Sequence, residues 1–150
     1  MSDSTDTIIR PAAAGDEDDI YRVHTGALLS AGEQLDKFPF LEPAYYTPMI
    51  EAGRALVAAI DGRLVGFGEL VGHEIRSVYV DPDRQRRGVG EKLLGALEAF
   101  ARREGLTWSN IRCRRGLADS YYARHGWAPA DPSAYRMTAE TDWVDIVKEI

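Results

Sequence analysis

Residues 78–92, Val-Tyr-Val-Asp-Pro-Asp-Arg-Gln-Arg-Arg-Gly-Val-Gly-Glu-Lys, constrain the fold more than any other stretch of this chain. Val78, Tyr79 and Val80 favour a strand, and Asp81-Pro82-Asp83 ends it, because proline donates no hydrogen bond to a ladder. Past Gly90, the residues Leu93, Leu94, Leu97 and Phe100 recur at helical spacing between Glu91, Lys92, Glu98 and Arg102, the pattern of an amphipathic helix. Gly88 and Gly90 therefore stand where a strand passes into a helix. A helix N-terminus presents unpaired N–H groups and the positive end of the helix dipole, and glycine lets an anion approach the backbone without Cβ obstruction. These residues read as a phosphate cradle; the alternative is an ordinary strand-to-helix turn with a solvated arginine run.

Spacing narrows the kind of cradle. A dinucleotide fingerprint requires a third glycine three residues beyond Gly90, where Leu93 stands, and Gly-x-x-x-x-Gly-Lys-Ser/Thr occurs nowhere in the chain. The rest of the sequence supplies the frame. Residues 7–10 are β-prone and end at Pro11; after Gly15, the acidic run Asp16 to Asp19 precedes Ile20, Val23, Ala27 and Leu28, which places negative charge at the start of a helix. His24 on that helix reads as a packed or surface residue, since no second histidine lies at metal-ligand spacing. Residues 32–46 gather Phe38, Phe40, Tyr45 and Tyr46 around Pro39 and Pro43, either as a satellite hydrophobic cluster or as an aromatic wall for a substrate. Thr47-Pro48 reads as an N-cap with proline at the first helical position, opening a short helix that Gly53 closes.

Residues 55–60 and 63–71 are strand-like around Asp61-Gly62, a strong hairpin signal, and Gly66, Gly68 and Gly72 mark bulges or close backbone approaches. Residues 74–80 form the strand ahead of the cradle, and Gly105 stops the helix behind it. A strand over 107–113, a short helix over 116–125 closed by Gly126, and strand material over 127–130 and 142–148 complete the chain. Hairpins first and strand–helix alternation afterwards predict an α/β (α+β) domain with a mixed sheet and helices on its faces.

At 150 residues a single domain, 1–150, is expected, with residues 1–6 as a frayed polar tail. One cysteine, Cys113, excludes an intrachain disulfide and fits a reducing, cytoplasmic setting. No Cys/His spacing suits a metal, and no stretch approaches membrane-spanning length. A net charge of −6 opposes general nucleic-acid binding, which needs a basic face.

Gln85-Arg86-Arg87-Gly88-Val89-Gly90 behind Val-Tyr-Val-Asp-Pro resembles the acyl-coenzyme A loop of the GNAT superfamily of N-acyltransferases. A second element of that family, Ala-x-x-aromatic-Tyr-x-x-x-Gly-aromatic, is met by Ala118, Tyr121, Tyr122, Gly126 and Trp127. The family's element order covers nearly the whole chain. The resemblance implies a mostly antiparallel sheet of six to seven strands, helices on both faces and a splay between the fourth and fifth strands. It implies an acetyltransferase that uses acetyl-coenzyme A, no metal, and an amine acceptor from a small molecule or protein; a homodimer is a partner it allows.

Residue by residue, the resemblance assigns Val78, Tyr79 and Val80 to the pantetheine arm, through the backbone groups of Val78 and Val80. Gln85, Arg86, Arg87, Gly88, Val89, Gly90 and Glu91 form the loop, whose N–H groups from Arg86 to Glu91 hold the pyrophosphate. The N–H of Val78 faces the thioester oxygen. Tyr122 matches the general acid and Glu74 a general base, with His73 and Glu69 as lesser choices for the base and Tyr121 expected to pack. Arg115 stands where the family often has Asn, which departs from the pattern. A non-catalytic acyl-coenzyme A sensor would keep the loop and need neither Glu74 nor Tyr122; a transferase of a longer acyl group is a further alternative.

Overall fold

The structure, a computed structural model, describes residues 6–85 and 88–150. Of the expected tail only Asp6 is described, exposed and outside any element; residues 1–5, Arg86 and Arg87 lie outside the described residues. The chain forms two compact units, Met1–Leu70 with Ser77–Leu97, and Val71–Arg76 with Glu98–Ile150.

In the first unit, β1 (Thr7–Pro11), β2 (Ala55–Ile60), β3 (Arg63–Val71) and the later half of β4 (Glu74–Val80) lie side by side in that order. β1 and β2 are antiparallel from Thr7↔Ile60 to Pro11↔Leu56. β2 and β3 form the expected hairpin, with Asp61 at φ 52 and Gly62 at φ 80, the double positive φ of a type I′ turn. Every residue of β2 is buried because both of its faces are covered. On one face Ala55 and Val57 meet Ile20 and Val23 of α1 (Glu17–Ser30) and Met49 and Ile50 of α2 (Thr47–Glu51). On the other, Ala58 and Ile60 meet Val89, the first residue of α3 (Val89–Arg103). Each valine, isoleucine or methionine side chain among these contributes about 1.5–3 kcal/mol when taken out of water, before entropy is counted.

One local expectation is corrected in this unit. Thr47 is itself helical and does not cap α2, because Pro43 starts a 3₁₀ turn, Pro43–Tyr46, that runs straight into the helix; the Thr47 hydroxyl instead donates to Glu17 at 3.0 Å. Residues 32–46 also hold a second 3₁₀ turn, Leu35–Lys37. Gly66 behaves as a close-approach glycine: a Cβ there would meet the Tyr79 carbonyl oxygen at 3.1 Å and Val89 at 3.5 Å.

The second unit orders the first half of β4, then β5 (Trp108–Arg114), β7 (Trp143–Glu149) and β6 (Ala128–Pro129). β5 and β7 are antiparallel from Trp108↔Glu149 to Arg114↔Trp143, and β5 alternates buried and exposed residues as a sheet covered on one face should. β4 and β5 are parallel at Glu74↔Asn110, supported by the Asn110 N–H donating to the His73 carbonyl at 3.0 Å. The mixed sheet expected from the sequence is thus present, with seven strands among the described residues, this parallel pair included. The helix expected over 116–125 is three short pieces: α4 (Arg115–Leu117), a π turn over Ala118–Tyr122 and a 3₁₀ turn over Ala123–His125, stopped by Gly126 at φ 89. A short α5 (Pro132–Tyr135) was not foreseen, although Asp131 caps it through bonds from the Ser133 and Ala134 N–H groups and Pro132 starts it.

Candidate active site

The residues assigned from sequence divide between the units. Val78, Tyr79, Val80, Gln85, Gly88, Val89, Gly90 and Glu91 belong to the first; Glu74 and Tyr122 belong to the second.

In the first unit, β4 is irregular where it matters. Ser77 takes φ 58, a left-handed value that a non-glycine residue inside a strand rarely adopts, directly before Val78. Nothing in the local sequence signals this. Residues Val78, Tyr79 and Val80 are half-buried, and Val80 accepts a bond from the Gln85 side chain at 3.2 Å. Asp81 then closes the strand: its N–H donates to the Val65 carbonyl at 2.7 Å, and its carboxylate accepts from the Asp83 N–H at 3.1 Å. Gly88, at φ 80, is the hinge into α3, and its carbonyl accepts the Lys92 N–H at 3.1 Å. The helix therefore starts at Val89, one residue before Gly90, with Gly90 in its first turn. Val89 is buried against Ala58, Ile60 and Val65, so the far side of the turn is anchored in the core. A Cβ built on Gly88 meets nothing within 4 Å, which leaves open space over the turn.

Behind β4 lies an aromatic cluster. His24 sits 4.4 Å from the Tyr79 ring, packs edge-on against Phe67, and has its Nδ1 2.7 Å from the Tyr46 hydroxyl. Burial pushes the His24 imidazole down to about 4 and raises the Tyr79 phenol; Tyr46 is raised too, by burial first and then by its tyrosine neighbours. Of the two expectations for His24, a packed or a surface residue, the packed one is the outcome. From Tyr46 a train of rings, Tyr45, Phe40 and Phe38, steps outward at centroid spacings of 5.2, 5.2 and 6.3 Å. The two readings of this stretch both apply in part: Tyr46 is 1% exposed and belongs to the core, whereas Phe40 and Tyr45 are about half exposed.

In the second unit, Glu74 is held by Arg76, whose Nε donates at 2.6 Å, and its side chain is partly exposed. His73 stacks flat on Trp108, ring centroids 3.9 Å apart, with Nδ1 3.0 Å from the Trp108 carbonyl oxygen. Glu69, in the first unit, is buried and paired with Arg54 at 3.4 Å. Tyr122 is the more buried of the tyrosine pair, which reverses the expectation that Tyr121 packs instead; the π turn carries Tyr122 inward, edge-on to Trp127 at 6.2 Å. Arg115 is engaged within its own unit: its guanidinium donates to the Thr138 carbonyl and to Asp119 at 3.3 Å and lies 4.7 Å from the Tyr135 ring, while Tyr135 donates to Asp119. Cys113 is buried in β5, and burial, reinforced by Asp145, pushes its thiol up to about 11. A cleft of about 190 Å³ lined by Asp131, Tyr135, Trp143 and Asp145 among others includes none of the residues assigned from sequence. Among the described residues no group of three His, Cys, Asp or Glu is placed to hold a metal ion.

The fold is that of solved N-acetyltransferases. The PaiA N-acetyltransferase of Thermoplasma acidophilum, in complex with coenzyme A, superposes with a TM-score of 0.76 at 17% identity, covering 97% of this chain and 99% of that one. The ribosomal-protein-S18-alanine N-acetyltransferase of Escherichia coli superposes with a TM-score of 0.71 at 18% identity, covering 97% and 94%. Residues 51–129, more than half of the chain and including both motifs, match the family model described as an acetyltransferase (GNAT) domain. The chain belongs to the GNAT acetyltransferase family. It is also 37% identical over 81 residues to the mycothiol acetyltransferase of Amycolatopsis mediterranei (strain U-32), an alignment covering 49% of this chain and 27% of that relative. The chain thus matches about a quarter of that relative's length.

Proposed function

We propose that this chain transfers an acetyl group from acetyl-coenzyme A to a primary amine of a small molecule or protein, by direct attack in a ternary complex. The observation that carries this reading is Gly88: at φ 80, with open space above it, it turns the chain from β4 into the 15-residue α3, whose first amides suit a pyrophosphate. In this reading Gln85, Arg86, Arg87, Gly88, Val89, Gly90 and Glu91 form the loop, whose backbone N–H groups from Arg86 to Glu91 hold the pyrophosphate. Val78, Tyr79 and Val80 take the pantetheine arm, and the Val78 N–H stabilises the charge that develops on the thioester oxygen. The irregular backbone at Ser77 supports this, since a strand that leaves its regular path can offer amide groups to a ligand.

Attack by the amine needs its neutral form. Deprotonating a lysine-like amine at neutral pH costs roughly 4–5 kcal/mol, an α-amine about 1. Glu74 is the base in this reading and Tyr122 the acid that protonates the leaving thiolate. Direct attack is favoured over an acyl-cysteine intermediate because the buried Cys113 thiol stays protonated. A reducing cytoplasm is the proposed setting; among the described residues no helix is long and apolar enough to cross a membrane.

The test is a panel of amines incubated with acetyl-coenzyme A and assayed for free thiol. Amine-dependent release supports the reading; coenzyme A binding without release from any amine identifies a sensor, and release only with longer thioesters a different transferase.

A further inference from the structure

Helix α1 grips the start of the glycine turn at two points. Arg22 donates from Nη1 to the Asp81 carboxylate at 3.0 Å and from Nη2 to the Leu64 carbonyl at 2.7 Å. One turn along, Gly26 faces Pro82, whose ring would lie 3.6 Å from a Cβ at that position, so the helix seats directly on the residue after Asp81. Asp81 is nearly buried and committed three ways: to Arg22, to the Asp83 N–H and, through its own N–H, to Val65. Its carbonyl accepts the Arg84 N–H at 2.8 Å. The carboxylate therefore fixes both the end of β4 and the first turn of the connection that leads to Gly88. Arg22 is the only side chain of another element that reaches this carboxylate among the bonds of the described residues.

We propose that Arg22 and Asp81 form a positioning pair through which α1 sets the geometry of the phosphate-holding turn, so that Arg22 governs affinity for the pyrophosphate part of the acyl donor without touching it. This rests on the reading of residues 85–91 as the coenzyme A loop. The chemistry is that of a charge-assisted bond in a partly buried setting; because Arg22 also lies 3.6 Å from Asp19 on its own helix, the charge that loss of the pair leaves uncompensated is the more deeply buried Asp81 carboxylate. The turn has an independent anchor at Val89 in the core, so removing the pair should misplace its entry while leaving its exit fixed.

Arg22→Gln and Asp81→Asn, the latter retaining a side-chain oxygen for the Asp83 N–H, are compared with the unaltered chain by calorimetric titration with coenzyme A. In parallel, kcat/KM is measured for acetyl-coenzyme A and for S-acetylpantetheine, which lacks the pyrophosphate. Each variant should weaken coenzyme A binding about tenfold and lower kcat/KM for acetyl-coenzyme A by a similar factor, through KM rather than kcat. The value for S-acetylpantetheine should change less than about twofold, and the double variant should be no worse than the poorer single one. Equal losses with both donors, unchanged coenzyme A affinity, fully additive effects, or loss of the fold in both single variants would overturn the proposal. Failure of the unaltered chain to bind coenzyme A would instead remove the reading of the loop.

Discussion

Replacing His24 by phenylalanine should make the protein less sensitive to mild acid, and the size of the effect follows from the cluster that holds the imidazole. His24 is packed among Tyr46, Phe67 and Tyr79, and burial lowers its pKa from 6.5 to about 4. In the unfolded chain the ring takes a proton near its ordinary value, so the unfolded state binds more protons over the interval between the two. Stability from this group is complete above about pH 6.5 and is lost as pH falls toward about 4, at about 1.36 kcal/mol per unit. The full gap is worth roughly 3 kcal/mol, and about 2 kcal/mol is lost between about pH 7.5 and pH 5. Asp16 and Glu17, whose pKa values are lowered below their ordinary 3.8 and 4.5, titrate outside that interval. The phenylalanine keeps an aromatic ring in place but leaves the Tyr46 hydroxyl without the imidazole, a cost of about 1–3 kcal/mol that does not vary over this interval. Urea denaturation at several pH values separates the two effects: the variant starts less stable, and the gap to the unaltered protein narrows by about 2 kcal/mol toward pH 5. Parallel curves over that range would refute the reasoning.

Gly88→Val should raise the coenzyme A dissociation constant by about tenfold or more, because a β-branched residue strains at φ 80 and fills the open space over the turn; calorimetric titration of the folded variant decides it, and unchanged affinity removes the loop reading. Tyr122→Phe keeps the edge-on contacts with Trp127 and Tyr121, so the fold and coenzyme A affinity should survive while turnover falls by roughly 10²-fold; full activity ends its assignment as the acid. Glu74→Gln should lose most activity at low pH and recover in part as pH rises, because more of the amine is then already neutral. A deficit independent of pH would leave Glu74 as the partner of Arg76 alone.

What the sequence determined by itself is local. The Asp61-Gly62 hairpin, the strand over 74–80, the stops at Gly53, Gly105 and Gly126 and the glycine turn at Gly88 were all readable, because each depends on the conformational freedom of glycine, on proline, or on the period of apolar residues within a few positions. Both motifs of the family were readable for the same reason. The cap at Asp131 is equally local, since Asp-Pro before Ser133 carries a helix-start signal.

Only the tertiary structure decided the rest. That Tyr122 rather than Tyr121 is the buried tyrosine depends on a π turn, in which one extra residue per turn rotates the following side chains away from the face an α-helix would give them. That Ser77 is left-handed depends on the path β4 takes, not on serine. The bond from Arg22 to Asp81 joins residues 59 positions apart, and the ring contact of His24 with Tyr79 likewise joins α1 to β4. Pattern and propensity carry information over a turn or a pair of strands; which charge meets which carboxylate across such a separation is fixed when a helix packs on a sheet, since only then are the two side chains brought within reach.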